Sequence, residues 1–246
     1  MNTETTATTP TPDSAPHISP FSTLIGIFLE PSKSFAAIEK KSMVWLPLVL
    51  SMLGGAALLF FYYQQVDFAW LQDKLLAGKD MEPAQREAAL KFMTKNMLIG
   101  MSMIGALIGP PIVYAITALY YIIVAKVADI PTGYGKWFTL AAWASVPNLL
   151  GLVLGFIQIA LSDHGRLAPN QLNPLTLNQL FFHIDLNLPW ASLLDSINVC
   201  SVWTIVLLVI GFQSWSKKSR VASIAIVLTP IVLILGVMAL FAARQS

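Results

Sequence analysis

The chain has 246 residues, of which 56% are hydrophobic and only 11% are charged, and its formal net charge is +2 at pH 7. Soluble domains carry about 25% charged residues, so this composition excludes an ordinary soluble domain and indicates an integral membrane protein. The small net charge gives no reason to expect a nucleic-acid partner, and the single cysteine, Cys200, excludes a disulfide framework.

Residues 1–18 are rich in threonine and proline and too poor in apolar residues to fold alone, so the sequence predicts a disordered tail there. This stretch lacks the basic start and the apolar run of a signal peptide. We therefore expect the first hydrophobic span to remain in the mature protein. The rest of the chain, residues 19–246, is predicted to form one membrane domain.

A short amphipathic arm is predicted directly after the tail. Ser19 is a good helix N-cap, and Pro20 suits the first helical position. An apolar stripe follows at helical spacing, formed by Phe21, Leu24, Ile25 and Phe28. Pro31 ends this helix, and a second short helix with lysines follows. The arm is too short to span a bilayer, so we expect it in the interface with its lysines toward anionic headgroups. The alternative is that the stripe packs against the cytoplasmic end of the bundle.

Five charge-free runs follow, and crossing a bilayer core takes about 20 apolar helical residues. The predicted spans are residues 43–65, 96–125, 137–162, 196–216 and 221–243. The first begins with Trp45 and Pro47, an aromatic anchor and a tolerated early proline. The second is longer than a bilayer requires, and we expect it to lie bent at the centre of the bundle. The predicted fold class is all-α, with five transmembrane helices and an N-terminal amphipathic interfacial arm.

Prolines inside the spans predict interruptions of the helices. A proline has no backbone N–H, so the carbonyl four residues earlier loses its usual donor. Helix breaks are predicted at Pro110, Pro111, Pro147 and Pro230. We expect the hydroxyl of Thr229 to satisfy one of the carbonyls freed by Pro230, because an unpaired carbonyl is costly in lipid.

Two pairs of glycines four residues apart predict close helix packing, because small residues let neighbouring backbones approach. The pairs are Gly105 with Gly109 and Gly151 with Gly155. The first pair adjoins the Pro110–Pro111 element. We therefore expect larger side chains at Gly105 or Gly109 to disturb packing more than the same changes at Gly54 or Gly55.

The loop between the first two spans contains a predicted polar helix. Pro83 opens it, and Glu87, Lys91 and Lys95 follow at i, i+4 spacing in the favourable order. We expect this helix to continue unbroken into the second span.

The loop of residues 163–194 is rich in apolar residues and is predicted to lie on the membrane surface. Two His/Asp pairs share this loop, Asp163 with His164 and His183 with Asp185. No metal-ligand spacing is recognisable, so no metal site and no cofactor are predicted.

Polar residues inside the membrane are the default candidates for function because they are expensive to place there. The candidates are Asn148 and Gln158 in the third span, Asn198 in the fourth, and Asp195 at its threshold. They either form a polar midplane site or bridge neighbouring helices. Asp195 alternatively caps the fourth helix, where a carboxylate suits the helix dipole. No catalytic motif is present, so we expect no enzymatic activity.

Several short motifs occur in a distinctive order. They are Pro31-Ser-Lys-Ser-Phe35, Trp45-Leu46-Pro47, Gly133-Tyr134 with Pro147, and then Asp195, Trp203 and Gly211. This order resembles the bacterial branch of the Yip domain family (Ypt-interacting proteins), over about residues 21–243. The resemblance implies five helices, a cytosolic N-terminus and a C-terminus on the far side. Eukaryotic members associate with Rab-type GTPases and with each other. Their Asp-Leu-Tyr/Trp-Gly-Pro type element has only Leu29-Glu30-Pro31 as its counterpart here, which argues against a GTPase partner.

Together these features predict a multi-pass protein of the bacterial inner membrane with its N-terminus in the cytoplasm. The basic residues then assigned to the cytoplasmic side are Lys33, Lys40, Lys41, Lys126, Lys136, Lys217, Lys218 and Arg220. The first interpretation is a non-enzymatic protein that organises the local bilayer and packs with further copies or other membrane proteins. The alternative is a small transporter, channel or lipid-translocating protein with a polar site at the broken second and third spans.

Overall fold

Eleven α-helices account for most of residues 19–41 and 43–245, the part of the chain that this computed structural model describes. In chain order they are α1 (Pro20–Leu29), α2 (Pro31–Lys40), α3 (Trp45–Gln65), α4 (Phe68–Leu76), α5 (Pro83–Phe92), α6 (Lys95–Val127), α7 (Tyr134–Ala144), α8 (Asn148–Leu161), α9 (Ala191–Ser196), α10 (Val199–Ser216) and α11 (Arg220–Gln245). The tail predicted for residues 1–18 lies outside the described residues.

Five helical segments are long and apolar enough to cross a membrane, as predicted. They are α3, α6, the α7–α8 pair, α10 and α11. The protein is therefore an all-α membrane protein with five transmembrane segments. At 1.5 Å per residue, the 33 residues of α6 extend about 50 Å, against a hydrocarbon core of about 30 Å. This helix must tilt or extend beyond the lipid.

The centre of the bundle is α7, and the expectation that the second span lies there is wrong. Every residue from Leu140 to Pro147 is buried, whereas only four of the 33 residues of α6 are buried. The small side chains of Ala141, Ala142 and Ala144 let α3, α6 and α10 pack around α7. A run of small residues around Trp143 therefore decides which span is central.

Two apolar clusters fasten the two ends of the bundle. The first includes Phe35, Trp137 and Trp215, and it lies where α2 meets α10; we call this end the arm end. The second includes Tyr62 and Leu167 and lies at the opposite end, with α4, α5 and residues 163–194; we call it the loop end. There the Tyr62 hydroxyl donates a 2.8 Å hydrogen bond to the carbonyl of Leu167.

Among the four predicted helix breaks, Pro147 interrupts its span, and the other three prolines do not. A turn over Ser145–Pro147 separates α7 from α8, and the N–H of Asn148 bonds the carbonyl of Ser145 at 2.9 Å. Pro110 and Pro111 lie within α6, and Pro230 lies within α11. The two helices tolerate these prolines because the regular backbone hydrogen bonds continue before and after the missing N–H donors.

The hydroxyl of Thr229 does not satisfy a carbonyl freed by Pro230, contrary to the prediction. It donates to the carbonyl of Ala225, 2.7 Å away and four residues earlier. The carbonyl deprived of its donor is that of Ile226, and the hydroxyl of Tyr120 in α6 donates to it at 2.8 Å. The donor comes from a neighbouring helix.

The helix of the first loop does not run into the second span, so that prediction is also wrong. α5 ends at Phe92, and Thr94 caps α6 by accepting a 3.3 Å hydrogen bond from the N–H of Met97. The side-chain amide of Gln72 donates to the carbonyl of Met93 at 2.9 Å. These side chains satisfy the backbone groups that a continuous helix would pair. The predicted pair of Glu87 with Lys91 is present at 2.7 Å.

The two glycine pairs behave differently, which reverses the predicted order of sensitivity. A Cβ added at Gly105 or Gly109 would meet no atom within 4 Å in the described part of the chain. At Gly155 it would lie 2.8 Å from Leu58, and at Gly54 it would lie 2.8 Å from Leu152. The close approach of helices is therefore between α3 and α8, whereas the first pair lies on an open face of α6. A Cβ added at Gly151 would make only an ordinary contact with the side chain of Asn173.

Candidate functional site

The arm folds into two short helices that turn at Glu30. Ser19 caps α1 by accepting a 3.1 Å hydrogen bond from the N–H of Ser22, and Pro31 occupies the first position of α2. A Cβ at Gly26 would lie 2.7 Å from the hydroxyl of Ser34, so glycine at this position lets α2 lie against α1. The capping residues and prolines predicted this local structure correctly.

The inner face of the arm is anchored in the first apolar cluster. Ile27 and Phe35 are fully buried, and Ile38 is nearly so. The indole N–H of Trp215 donates a 2.9 Å hydrogen bond to the carbonyl of Phe35, whose ring meets the indole edge-on. Gly211 leaves space for Leu140 of α7 and for the Phe35 ring, since a Cβ there would meet Leu140 first and would lie 3.1 Å from the ring. The arm is therefore held on α10 by specific contacts.

The outer face of the arm is apolar and uncovered. Phe21, Ile25 and Leu29 are 63%, 64% and 75% exposed, and their spacing of four places them on one side of α1. The predicted stripe is thus divided, because Leu24 and Phe28 are partly buried against the apolar cluster. The inner face packs on the bundle, and the outer face has the character of an interfacial helix.

Basic residues collect at the arm end. Lys126 lies in the last turn of α6, Lys136 in the first turn of α7, and Lys217 to Arg220 join α10 to α11. Among the residues that the structure describes, and with the lysines of the arm included, this end holds eight basic and three acidic residues, whereas the loop end holds seven basic and eight acidic ones. The contrast parallels the charge bias between the two sides of membrane proteins.

Asn148, one of the candidates for a midplane site, contacts a neighbouring helix. It is the first residue of α8, and its side-chain amide donates a long 3.4 Å hydrogen bond to the hydroxyl of Thr204 in α10. Gln158 is half-buried ten residues further along α8, a distance of about 15 Å. The structure does not bring these two amides together.

Asn198 and Asp195 lie at the loop end, away from the middle of the fourth span. Asn198 is the N-cap of α10 and accepts a 2.9 Å hydrogen bond from the N–H of Ser201. The carboxylate of Asp195, in α9, accepts a long 3.4 Å hydrogen bond from the hydroxyl of Thr176. The alternative role of Asp195 as the cap of the fourth helix is therefore wrong, since Asn198 performs it.

A chain of buried hydroxyls crosses the bundle beside the break at Pro147, and the sequence reading missed it. The hydroxyl of Tyr114 in α6 lies 2.9 Å from that of Ser51 in α3 and 2.6 Å from that of Ser145. Ser51 donates to the carbonyl of Pro47, and Ser145 to that of Ala142. These contacts satisfy polar groups around the break without charged residues. The sequence did contain a signal for this chain, because Ser51, Tyr114 and Ser145 all place hydroxyl groups within predicted transmembrane spans.

The loop of residues 163–194 is fastened by buried polar contacts and still presents aromatic side chains. The side-chain amide of Asn178 is fully buried and bonds both the N–H and the carbonyl of Ile184. Phe181 and Phe182 are 71% and 54% exposed, which suits a loop lying on a membrane surface.

An ion pair ties this loop to α4. The ammonium of Lys74 donates to the carboxylate of Asp185, and this hydrogen bond holds the pKa of Asp185 below its ordinary value. The other His/Asp pair of the loop, Asp163 with His164, is strongly exposed and forms its own contact. Among the described residues, no three potential metal ligands come together.

Comparison with known proteins shows the family of the chain. The chain is 28% identical over 200 residues to the membrane protein YknW of Bacillus subtilis (strain 168), covering 81% of this chain and 80% of that protein. No solved structure matches the chain. The profile of the Yip1 domain matches residues 25–241, from the first helix of the arm to the end of the last span. The chain therefore belongs to the Yip1 domain family.

Proposed function

We propose that this protein is a non-enzymatic protein of the bacterial inner membrane that organises the local bilayer. In this account the arm lies along one leaflet as a wedge fixed to the bundle. The bundle itself packs with further copies of the chain or with other membrane proteins.

The observation that carries the proposal is the two-faced arm. Its inner face is fixed on α10 by Phe35 and Trp215, while Phe21, Ile25 and Leu29 face outward. A peripheral helix that merely sealed the bundle would not need a second apolar face. An amphipathic helix inserted at the acyl boundary gains free energy from burying such a face in lipid.

The open face of α6 is the surface that fits a partner helix. Gly105 and Gly109 have free space above them, and Ile108 and Ile112 beside them are about half exposed. Small residues flanked by larger apolar ones allow close contact between helices in lipid. A second copy of the chain or another membrane helix would cover this face.

The charge contrast between the ends supports an orientation with the arm end in the cytoplasm. Basic residues are retained on the cytoplasmic side, and anionic lipids of that leaflet attract lysines near the surface. The C-terminus, after α11, would then lie on the opposite side.

Vesicle shape tests the proposed function. The full-length protein is reconstituted into liposomes as wild type, as a triple variant with Phe21→Asn, Ile25→Asn and Leu29→Asn, and as an apolar control with Phe21→Leu, Ile25→Leu and Leu29→Ile. Vesicle diameters are then measured by electron cryomicroscopy. We expect wild type and control to narrow the vesicles and the asparagine variant to leave them unchanged, with equal thermal stability in detergent. Equal narrowing by all three proteins would contradict the proposal.

The alternative of a transporter requires polar groups that converge on one site. Asn148, Gln158 and Asn198 occupy separate places in the described structure. The contact between α6 and α7 includes Tyr114, Ala141 and Ala142. The hydroxyls of Tyr114, Ser51 and Ser145 that meet beside it are already paired with one another or with backbone carbonyls. These observations favour the organising function over transport, and a flux measurement described below separates the two.

A further inference from the structure

A groove runs between α10 and α11, and its polar lining residues lie at the arm end. Its volume is about 800 Å³, within the range of ligand-binding sites in proteins. Its mouth is polar and is formed by Ser32 of the arm, Gln213 and Ser214 of α10, and Arg220 of α11.

The interior of the groove is apolar along both helices. On α11 the residues Arg220, Ile224 and Leu228 follow one another at a spacing of four, so one stripe changes from charged to apolar. On α10 the lining extends from Gln213 to Ile205. Eight residues of helix correspond to about 12 Å, so the apolar part reaches well into the hydrocarbon region.

The mouth of the groove carries positive charge without a matching acid. In the described part of the chain, no carboxylate lies within 4.0 Å of the guanidinium of Arg220. The ammonium of Lys217 donates to the carbonyl of Ser214, which places a second cation beside the groove. Arg220 is also the first residue of α11, where the helix dipole favours an anion.

We propose that this groove binds one anionic phospholipid. The phosphate lies at the mouth, where Arg220 supplies a bidentate donor and Gln213 and Ser32 supply further polar contacts. One acyl chain follows Val209, Ile224 and Leu228 between the two helices. A membrane-facing groove is filled by lipid in any case, and the unpaired cations select the anionic headgroup.

This site goes beyond the proposed function, because it does not depend on the outer face of the arm. Phe21, Ile25 and Leu29 are not part of the groove lining. The asparagine variant of the outer face should therefore still bind the lipid, and loss of lipid binding should leave the apolar face of the arm intact.

Native mass spectrometry of the full-length protein tests the proposal. The probes are phosphatidylglycerol and phosphatidylcholine with the same acyl chains, added to delipidated protein. The headgroup variant is Arg220→Gln, and its control is Arg244→Gln at the opposite end of the same helix. The groove variant is Ile224→Trp, and its control is Ile234→Trp, at an exposed α11 position outside the groove.

We expect wild type to retain phosphatidylglycerol in preference to phosphatidylcholine, and Arg220→Gln to weaken phosphatidylglycerol retention about fivefold without changing that of phosphatidylcholine. Ile224→Trp should reduce retention of both lipids, and the two controls should behave as wild type. Retention of phosphatidylglycerol by Arg220→Gln at the level of Arg244→Gln would overturn the proposal. Equal retention of the two lipids by wild type would overturn it as well.

Discussion

The hydroxyl of Tyr120 in α6 donates a 2.8 Å hydrogen bond to the carbonyl of Ile226 in α11, four residues before Pro230. Proline has no N–H, so this carbonyl lacks its donor within α11. A side chain 106 residues away in sequence supplies the missing hydrogen bond. Since α11 has few buried residues, this contact is one of the specific links that hold the last span on the bundle.

Replacing Tyr120 with phenylalanine should therefore destabilise the protein through the unpaired carbonyl. Interhelical hydrogen bonds in membranes contribute about 0.6 kcal/mol on average, so we expect the Tm in detergent to fall by about 2 °C. The matched control is Tyr134→Phe, whose hydroxyl makes only a long 3.4 Å contact with the carbonyl of Ala115. In a Pro230→Ala background, the alanine N–H can donate to the carbonyl of Ile226 within α11. Tyr120→Phe should then lower the Tm by less than it does in the wild-type background. An equal cost in both backgrounds would contradict this account.

Alanine substitutions at Gly155 and Gly109 should have opposite effects on thermal stability, because the first position is packed and the second is open. Gly155→Ala places a Cβ 2.8 Å from Leu58 and 3.1 Å from the carbonyl of Leu172, so we expect a clear loss of thermal stability. Gly109→Ala meets open space, and alanine is favoured over glycine in a helix by about 1 kcal/mol, so the monomer should become slightly more stable.

Leucine substitutions at the same two glycines bear on self-association. Gly109→Leu should lower the oligomeric fraction measured by cross-linking in membranes while leaving the monomer folded, because the α6 face is uncovered in the single chain. A Gly109→Leu protein that unfolds as readily as a Gly155→Leu protein would show that the α6 face is packed within one chain after all.

Replacing Asn148 with leucine should have a small effect, because its 3.4 Å hydrogen bond to Thr204 is long and exposed. We expect a loss of no more than about 0.6 kcal/mol and no change in lipid scrambling or solute flux in liposomes. The control is the asparagine variant of the outer arm face in the same vesicles. Transport by wild type that disappears in Asn148→Leu and survives in the arm variant would establish the transporter alternative.

Acid should release the loop of residues 163–194 from α4. The hydrogen bond from Lys74 lowers the pKa of Asp185 in the folded protein, so the stabilisation is present above the ordinary aspartate pKa of about 3.9 and is lost as the pH falls below it. Because both side chains are partly exposed, the ion pair stabilises the loop by at most about 1 kcal/mol.

Hydrogen exchange of the backbone amides of residues 178–187 measures this stabilisation, and Asp185→Asn should show the faster exchange already at pH 7. Asp163→Asn, at a strongly exposed position, is the control; equal exchange in the two variants would contradict the role of the ion pair.

Local signals predicted the arm and the broken third span, because they depend on residues close in sequence. Ser19 and Pro31 set the helix boundaries of the arm by capping and by the missing N–H. Pro147 marks the end of α7 for the same reason. The apolar runs predicted five transmembrane segments, because length and hydropathy alone define them.

Relationships between distant residues were not predictable in this way. The gap at Gly211 that receives Phe35, and the link from Tyr120 to Ile226, join segments far apart in the chain. A glycine pattern shows that close approach is allowed, but it does not show which helix approaches. The sequence therefore named Gly155 correctly, but it ranked Gly105 and Gly109 above Gly54, where the close contact also forms.

The depth of the outer arm face in the bilayer tests the central claim most directly. In a Cys200→Ala background, a fluorophore is attached to cysteine at Ile25→Cys or, as the control, at Ala36→Cys on the exposed side of α2. Quenching by lipids that carry spin labels at different acyl positions reports the depth of each fluorophore. We expect the label at position 25 to lie about 5–10 Å below the headgroup boundary and the label at position 36 to lie nearer to the aqueous phase. Equal quenching at both positions by the headgroup label alone would contradict an arm that inserts into the leaflet.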